Sequence, residues 1–252
     1  MAILIKTAAE IEKMRASGRL LRQVHNAIAP VVRPGATTMD LELAASSKIA
    51  EWSALGVTAA FKGYHGYPAA LCTSVNEEVV HGIPNLKRVL KDGDIVSIDC
   101  GVVLDGFYSD AAVTYPVGTP SLATEKLLST TAASLDAAIR AAVVGGRLGD
   151  ISAAVQEMCE AAGLGVVRDF VGHGIGRSMH EQPQVPNFGP RGKGPRLKAG
   201  MVLAIEPMIN LGGPEVRVLK DGWTAVTADG SYSAHFEHTV AITRDGPDVL
   251  TL

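Results

Sequence analysis

Behind a Thr-Ala-Ala-Glu capping box at Thr7 to Glu10, apolar residues recur at helical spacing: Ile11, Met14, Leu21, Val24 and Ile28. The spacing predicts a first helix that ends near Pro30. Arg33-Pro34-Gly35 reads as a turn. A second helix is expected from about Asp40 to Leu55, stopped by Gly56. From about Ala59 to Val117 the pattern turns strand-like. Two further helices follow, one over roughly Ser121 to Val144 and one that Asp150 caps and that ends near Gly163. The remainder is again strand-rich, with GMVLAIEP (200–207) and FEHTVAIT (236–243) as the clearest strands.

The order is therefore two helices then strands, twice. RPGATTMDLELAA and VGGRLGDISAA each place a Gly five residues before an Asp that opens a helix, Gly35 with Asp40 and Gly145 with Asp150. The offset is 110 positions (150 − 40). Each has Ala four residues after the Asp. The echo suggests an internal duplication, with halves of about 1–118 and 119–252 and a site between them.

Composition narrows the class. In 252 residues, 47% are hydrophobic and 19% charged, which is a globular balance. A net charge of −3 gives no reason to expect nucleic-acid binding through bulk charge. The basic run Arg191, Lys193, Arg196 and Lys198 reads as a solvated Gly/Pro-rich loop. Three cysteines without a CxxC spacing suggest reduced thiols in a cytosolic protein. The opening MAILIK has no signal-peptide layout, and no stretch reaches the roughly 18 apolar residues of a membrane span.

The chemistry begins in SIDCGVVLDGFYSDAAVTY (97–115). Asp105-Gly106 is a strong hairpin signal. With those two residues as the loop, Leu104 faces Phe107, Gly101 faces Asp110 and Asp99 faces Ala112. Asp99 and Asp110 then share a face as diagonal neighbours, roughly 7–8 Å apart at the backbone. Gly101 is expected to leave space beside them. Two like charges on one face call for a cation, and a metal is the simplest candidate; a solvent-facing edge would also accommodate them. Three later side chains strengthen the metal reading: His173 among glycines in FVGHGIG, Glu206 at a strand end, and Glu237 inside a strand with Phe236, Val240 and Ile242 on the other face. A mid-strand Glu in an apolar setting is costly when unpaired.

In this order, Asp, Asp, His, Glu, Glu, the chain resembles the methionine aminopeptidases of the pita-bread fold. The likeness rests on TSVNEEVVHGIP (73–84), DGDIVSIDCGVVLDGFYSDAAVT (92–114), GHGIGRSMHEQPQVPN (172–187), LKAGMVLAIEP (197–207) and SAHFEHTVAIT (233–243), and spans essentially the whole chain. It looks like the type I form, because Glu206 and Glu237 lie only 31 positions apart (237 − 206), too close for the helical insertion of type II, and no zinc-binding extension precedes the first helix. The resemblance implies an α/β (α+β) fold. One catalytic domain over 1–252 would hold two pseudo-symmetric helix-helix-strand halves around a curved antiparallel sheet.

The resemblance also implies the roles. Asp99, Asp110, His173, Glu206 and Glu237 would bind two divalent ions, with Asp110 and Glu237 bridging, Asp99 on one ion, and His173 with Glu206 on the other. Four carboxylates balance two divalent cations, and an oxygen-rich set with one imidazole suits Mn, Fe or Co at least as well as Zn. The implied reaction removes the initiator methionine from nascent chains when the next residue is small, using a water activated by both metals. Glu206 would be the general base, His180 would meet the scissile carbonyl, and His81 would contact substrate and help move protons. Phe61, Tyr64, Tyr67, Cys72, His81, Met179 and Trp223 would line the methionine pocket. Phe61 and Met179 depart from the commonest bacterial pattern, which has a cysteine and an aromatic there. His25, His65, His235 and His238 receive no catalytic role. The sequence itself, with no exposed heptad or obvious oligomerisation element, leads us to expect a cytoplasmic monomer with no membrane contact and no direct nucleic-acid readout. It acts on N-termini that begin with Met, and ribosome contact is a further expectation. Two alternatives remain at this stage: a prolyl-type hydrolase of the same fold, and a binding protein on this scaffold that has lost catalysis.

Overall fold

A computed structural model describes residues 2–252. Helix α1 (Ala8–Ile28) starts at the expected capping box, with Thr7 accepting from the Glu10 N–H and Glu10 reaching back to the Thr7 N–H. It ends two residues before Pro30, which lies in a short 3-10 turn, Ala29–Val31. Helix α2 (Thr38–Ala50) and helix α4 (Leu148–Ala161) start earlier than the Asp residues that were expected to cap them. Asp40 and Asp150 instead sit at the third helical position. Their carboxylates accept the N–H of Thr37 and Arg147, each at 2.7 Å, which is the reverse limb of a capping box. The correction applies identically at both sites, so the sequence echo survives it. Helix α2 stops at Ala50 rather than Leu55, and a separate 3-10 turn carries the chain over Ser53–Leu55 to Gly56 in the left-handed region (φ 75°). Helix α3 (Leu122–Ala141) likewise stops three residues short of the expected end.

Every strand pairing described is antiparallel. Strands Ile95–Leu104 and Phe107–Pro116 form the long hairpin, and Leu71–Val75 and Thr58–Ala59 line the other edge of Ile95–Leu104. A five-stranded sheet runs in the order 246–249, 238–243, 202–205, 172–174, 181–185. This mixed arrangement of helices on antiparallel sheet agrees with the expected fold class. Among the described residues, no helix is long and apolar enough to cross a membrane.

The hairpin register is the expected one: Leu104 opposite Phe107, Gly101 opposite Asp110, Asp99 opposite Ala112. Asp105 (φ 52°) and Gly106 (φ 72°) both take positive φ, as a two-residue type I′ turn requires. The space expected beside Gly101 is filled, however. A Cβ there would come within 2.9 Å of the Ala60 Cβ and 3.1 Å of both Phe61 and Met179. Gly101 thus admits the walls of a pocket rather than an opening.

Packing holds the helices in place. One core joins α1 and α2 to the hairpin through Leu21, Val24, Ile28, Leu41 and Ile98. A second joins α3 and α4 to the five-stranded sheet through Leu127, Leu135, Ile151, Leu203 and Val240. Each such buried Leu or Ile contributes about 1.5–3 kcal/mol. A third cluster lies between them and draws on both ends of the chain, with Met14, Phe61, Phe107, Met179, Val202 and Leu250. Gly18 marks the closest approach in this region: a Cβ on it would sit 2.0 Å from the Leu250 carbonyl oxygen. Alanine is the better helix former by about 1 kcal/mol, but here the clash wins. Gly18→Ala should lower unfolding stability by about 1–3 kcal/mol or more in a denaturant titration; a stabilised variant would show that α1 does not dock this tightly.

A candidate metal centre at the end of an apolar pocket

Five elements deliver the acidic cluster. Asp99 and Asp110 come from the hairpin, His173 from Gly172–Gly174, Glu206 from the residue after Val202–Ile205, and Glu237 from the junction between Ser233–His235 and His238–Thr243. Glu237 is therefore not inside a continuous strand, as expected, but at a break where the chain changes sheets. Its N–H still donates to the Ala112 carbonyl at 2.9 Å, so the break is pinned to the hairpin. Phe236, Val240 and Ile242 pack on the apolar core behind it, as expected.

Side-chain pairs stitch these elements together. Thr239 donates to the Asp110 carbonyl (2.8 Å) and accepts its N–H (3.0 Å). Thr114 donates to the His235 carbonyl (2.7 Å) and accepts its N–H (2.9 Å). The glycines around His173 serve strand approach rather than a ligand: a Cβ on Gly172 or Gly174 would lie 2.4 or 2.3 Å from a carbonyl of a neighbouring strand.

Ligand atoms of Asp110, His173 and Glu237 lie within 4.8 Å of one another, and so do those of Glu206, His235 and Glu237. Glu237 belongs to both groups. Asp99 joins through the hairpin register and lines the same cavity. The charge partners of these carboxylates within 4 Å are the imidazoles of His173 and His235, not a lysine or arginine. One oxygen each on Asp99, Asp110 and Glu237 is buried without a hydrogen-bond partner. Burial pushes all four carboxyls up, and repulsion from neighbouring carboxylates adds to it at Asp99, Asp110 and Glu237: Asp99 to about 7, Glu206 to about 8, and Asp110 and Glu237 well above their ordinary range. Orphaned acceptors beside four converging carboxyls are what divalent cations would satisfy, so the residues fit a metal centre.

The histidines are set up to match. His173 Nδ1 lies 2.9 Å from the Gly174 carbonyl, which can only accept. The proton therefore sits on Nδ1, and the Nε2 lone pair faces the carboxylates. Burial holds His173 down at about 3 and, with the neighbouring His235 and His180, His81 at about 4, so both are neutral at pH 7. His180 is exposed at the pocket mouth, with Nδ1 2.8 Å from the Tyr64 hydroxyl. When that phenol donates, His180 keeps its own proton on Nε2.

The cavity running from this centre is lined by every residue expected of the methionine pocket: Phe61, Tyr64, Tyr67, Cys72, His81, Met179 and Trp223, with His180. Tyr67 is fixed as a wall, its hydroxyl donating to the Leu71 and Gly82 carbonyls (3.0 and 2.9 Å) and its ring edge meeting Trp223. The Cys72 thiol is raised well above its ordinary value by burial and Asp99, which keeps it protonated and apolar. His81 adopts φ 62° at the end of strand Glu78–Val80, aiming its ring between Phe170 and Trp223. The loop that carries Met179 and His180 is braced by a buried ion pair, Lys6 with Glu181 at 2.5 Å, while Glu181 also accepts the Arg177 N–H (2.9 Å).

Sequence reasoning missed Phe170, His65 and His235. Phe170 is an isolated aromatic with no local signal. His235 carried one: it lies two residues before Glu237, the spacing that places side chains on one face of an extended chain. His25 and His238 are structural, bonded to the Ala111 carbonyl and to Thr251. The basic run 191–198 is an exposed loop, as expected, apart from the buried Leu197, and Arg191 is paired with Glu157.

The chain is similar to known proteins over nearly its whole length. The model of metallopeptidase family M24 matches residues 12–244. A methionine aminopeptidase of Clostridium perfringens is 54% identical over 250 residues, covering 99% of each chain. The crystal structure of the Thermotoga maritima methionine aminopeptidase superposes with a TM-score of 0.96 at 49% identity, covering 99% of both chains. A Xaa-Pro dipeptidase from Bacillus anthracis (TM-score 0.77, 20% identity, 98% of this chain and 62% of that one) shares the fold alone.

The raised carboxyls give a signed pH dependence. Protons on Asp99 and Glu206 stabilise the metal-stripped fold, fully below the ordinary carboxyl range and progressively less as pH rises through about 7 to 8. A bound cation reverses that loss and must displace the same protons. The melting-temperature gap between Mn-loaded and stripped protein should therefore widen from pH 6 to pH 8; a gap that is flat or narrows would mean that these carboxyls do not hold the ion.

Proposed function

We propose how this chain, which belongs to metallopeptidase family M24 and within it to the type I methionine aminopeptidases, carries out metal-dependent removal of an N-terminal methionine. Asp99, Asp110, His173, Glu206 and Glu237 would hold two divalent ions. Mn, Fe, Co and Zn all suit four carboxylates and an imidazole. Bound there, the ions would polarise the scissile carbonyl and acidify a water. The observation that carries the reading is the single cavity in which the acidic cluster and the apolar walls meet.

The remaining work falls to the protein. Phe61, Tyr67, Cys72, Met179 and Trp223 take up the methionine side chain, where a thioether offers dispersion and weak sulfur contacts. His180, its Nδ1 occupied by Tyr64, turns Nε2–H toward the scissile carbonyl oxygen. Glu206 would help hold an ion and, as general base, would take the proton of the attacking water. His81, neutral and half-buried beside Phe170 and Trp223, contacts the substrate near the scissile bond and helps pass that proton on. Side chains larger than about Val at the second position crowd the centre and are rejected. The substrates are nascent N-termini in the cytoplasm, met by a monomer of one catalytic domain whose halves divide near residue 118. Ribosome contact would fall to the exposed basic loop at 191–198.

Turnover tests this directly. Stripped enzyme should release no methionine from Met-Ala-Ser and should regain turnover with Mn, Co, Fe or Zn. Asp110→Asn should lose more than the roughly 10–100-fold typical of an outer-shell change. Met-Leu, Met-Lys and Xaa-Pro peptides should be poor substrates. Turnover without metal would overturn the mechanism, and faster Xaa-Pro cleavage would reassign the substrate.

A further inference from the structure

We infer that His235 is a positioning residue for Glu206, fixing which carboxylate oxygen faces the metal centre and which faces the water. The inference rests on the roles proposed above for Glu206. His235 is 1% exposed and sits at the end of strand Ser233–His235, opposite Met208. Its backbone is clamped in both directions by Thr114, which is itself tied to Ser97 at 2.8 Å. The ring therefore has a fixed origin. Its Nε2 is buried without a hydrogen-bond partner, and it lies 3.4 Å from Glu206 Oε2.

The other oxygen of the same carboxylate, Oε1, lies 3.6 Å from His173 Nε2. Glu206 thus lies between two imidazoles, one near each oxygen. They present different faces. His173 turns a lone pair inward because its Nδ1 proton is committed to the Gly174 carbonyl. When Glu206 is ionised, the Nε2–H tautomer of His235 is the one that can donate to Oε2. The separation of 3.4 Å exceeds the 2.7–3.2 Å of a formed N–H···O bond. Contacts of this kind are often long without substrate and close in the working complex. With His235 donating to Oε2, Oε1 would remain for an ion and the carboxylate would be kept from chelating through both oxygens. Ligating carboxylates are generally oriented by such a partner. The same strand end supplies Glu237 two residues later, so one backbone segment delivers a ligand and the group that orients its neighbour.

The test compares His235→Leu, which removes the donor, with His235→Gln, which keeps an amide donor, in enzyme loaded with Co(II). Three quantities are read: cobalt per chain, the visible Co(II) absorption, and kcat and KM for Met-Ala-Ser. Leu should lower kcat about 10–100-fold with KM changed less than about two-fold, keep the cobalt count, and shift the Co(II) bands. Gln should restore both the bands and kcat to within about three-fold of wild type. Wild-type kcat and bands in the Leu variant would overturn the inference. So would loss of cobalt in both variants with no rescue by Gln, because His235 would then be a ligand. If wild type itself released no methionine, the substrate reading would fail, while cobalt count and absorption would still report on Glu206.

Discussion

Four carboxyl groups share one largely buried cavity with no lysine or arginine to balance them, and the rest of the structure is organised around tolerating that. At ordinary protein dielectric, two like charges about 4 Å apart repel by several kcal/mol. The protein offers two imidazoles, which burial keeps neutral, so they supply lone pairs and donors rather than charge. Protons or divalent cations must therefore supply the balance, and the orphaned oxygens on Asp99, Asp110 and Glu237 mark where cations would bind.

Holding such a cluster together requires a rigid frame from distant parts of the chain. The hairpin provides two carboxylates at a register set by a two-residue turn. The second half provides the others, and threonines lock one to the other: Thr239 on the backbone of Asp110, Thr114 on that of His235. Pairing of His238 with Ile205 brings Glu206 and Glu237 next in line where both strands end. Each threonine bond is worth only about 0.5–1.5 kcal/mol. Their value lies in fixing the backbone at the ligands, since a ligand displaced by 1 Å loses much of its effect. Met179, His180 and the Lys6–Glu181 brace extend the same frame to the pocket mouth.

What the sequence made legible follows how local each signal was. Asp105-Gly106 dictates its own turn, so register and the shared face of Asp99 and Asp110 could be read directly. The capping Asp residues were legible as helix starts but misplaced by three positions, because a capping box uses the acid at its far end. The break at Glu237 was invisible, since alternation of apolar residues continues through it. His235 was passed over because its meaning depends on Glu206 arriving from a strand some 30 residues earlier (235 − 206 = 29). Gly101 looked like room for a ligand, yet it makes room for Phe61 and Met179, which only the folded chain brings there.

The most direct test of the central claim is anomalous diffraction from crystals of the stripped protein soaked with Co(II) or Mn(II). The account predicts two peaks about 3.5–4 Å apart, both touching Asp110 and Glu237, with Asp99 on one side and His173 and Glu206 on the other. One peak outside this cluster, or none at a saturating concentration, would contradict it.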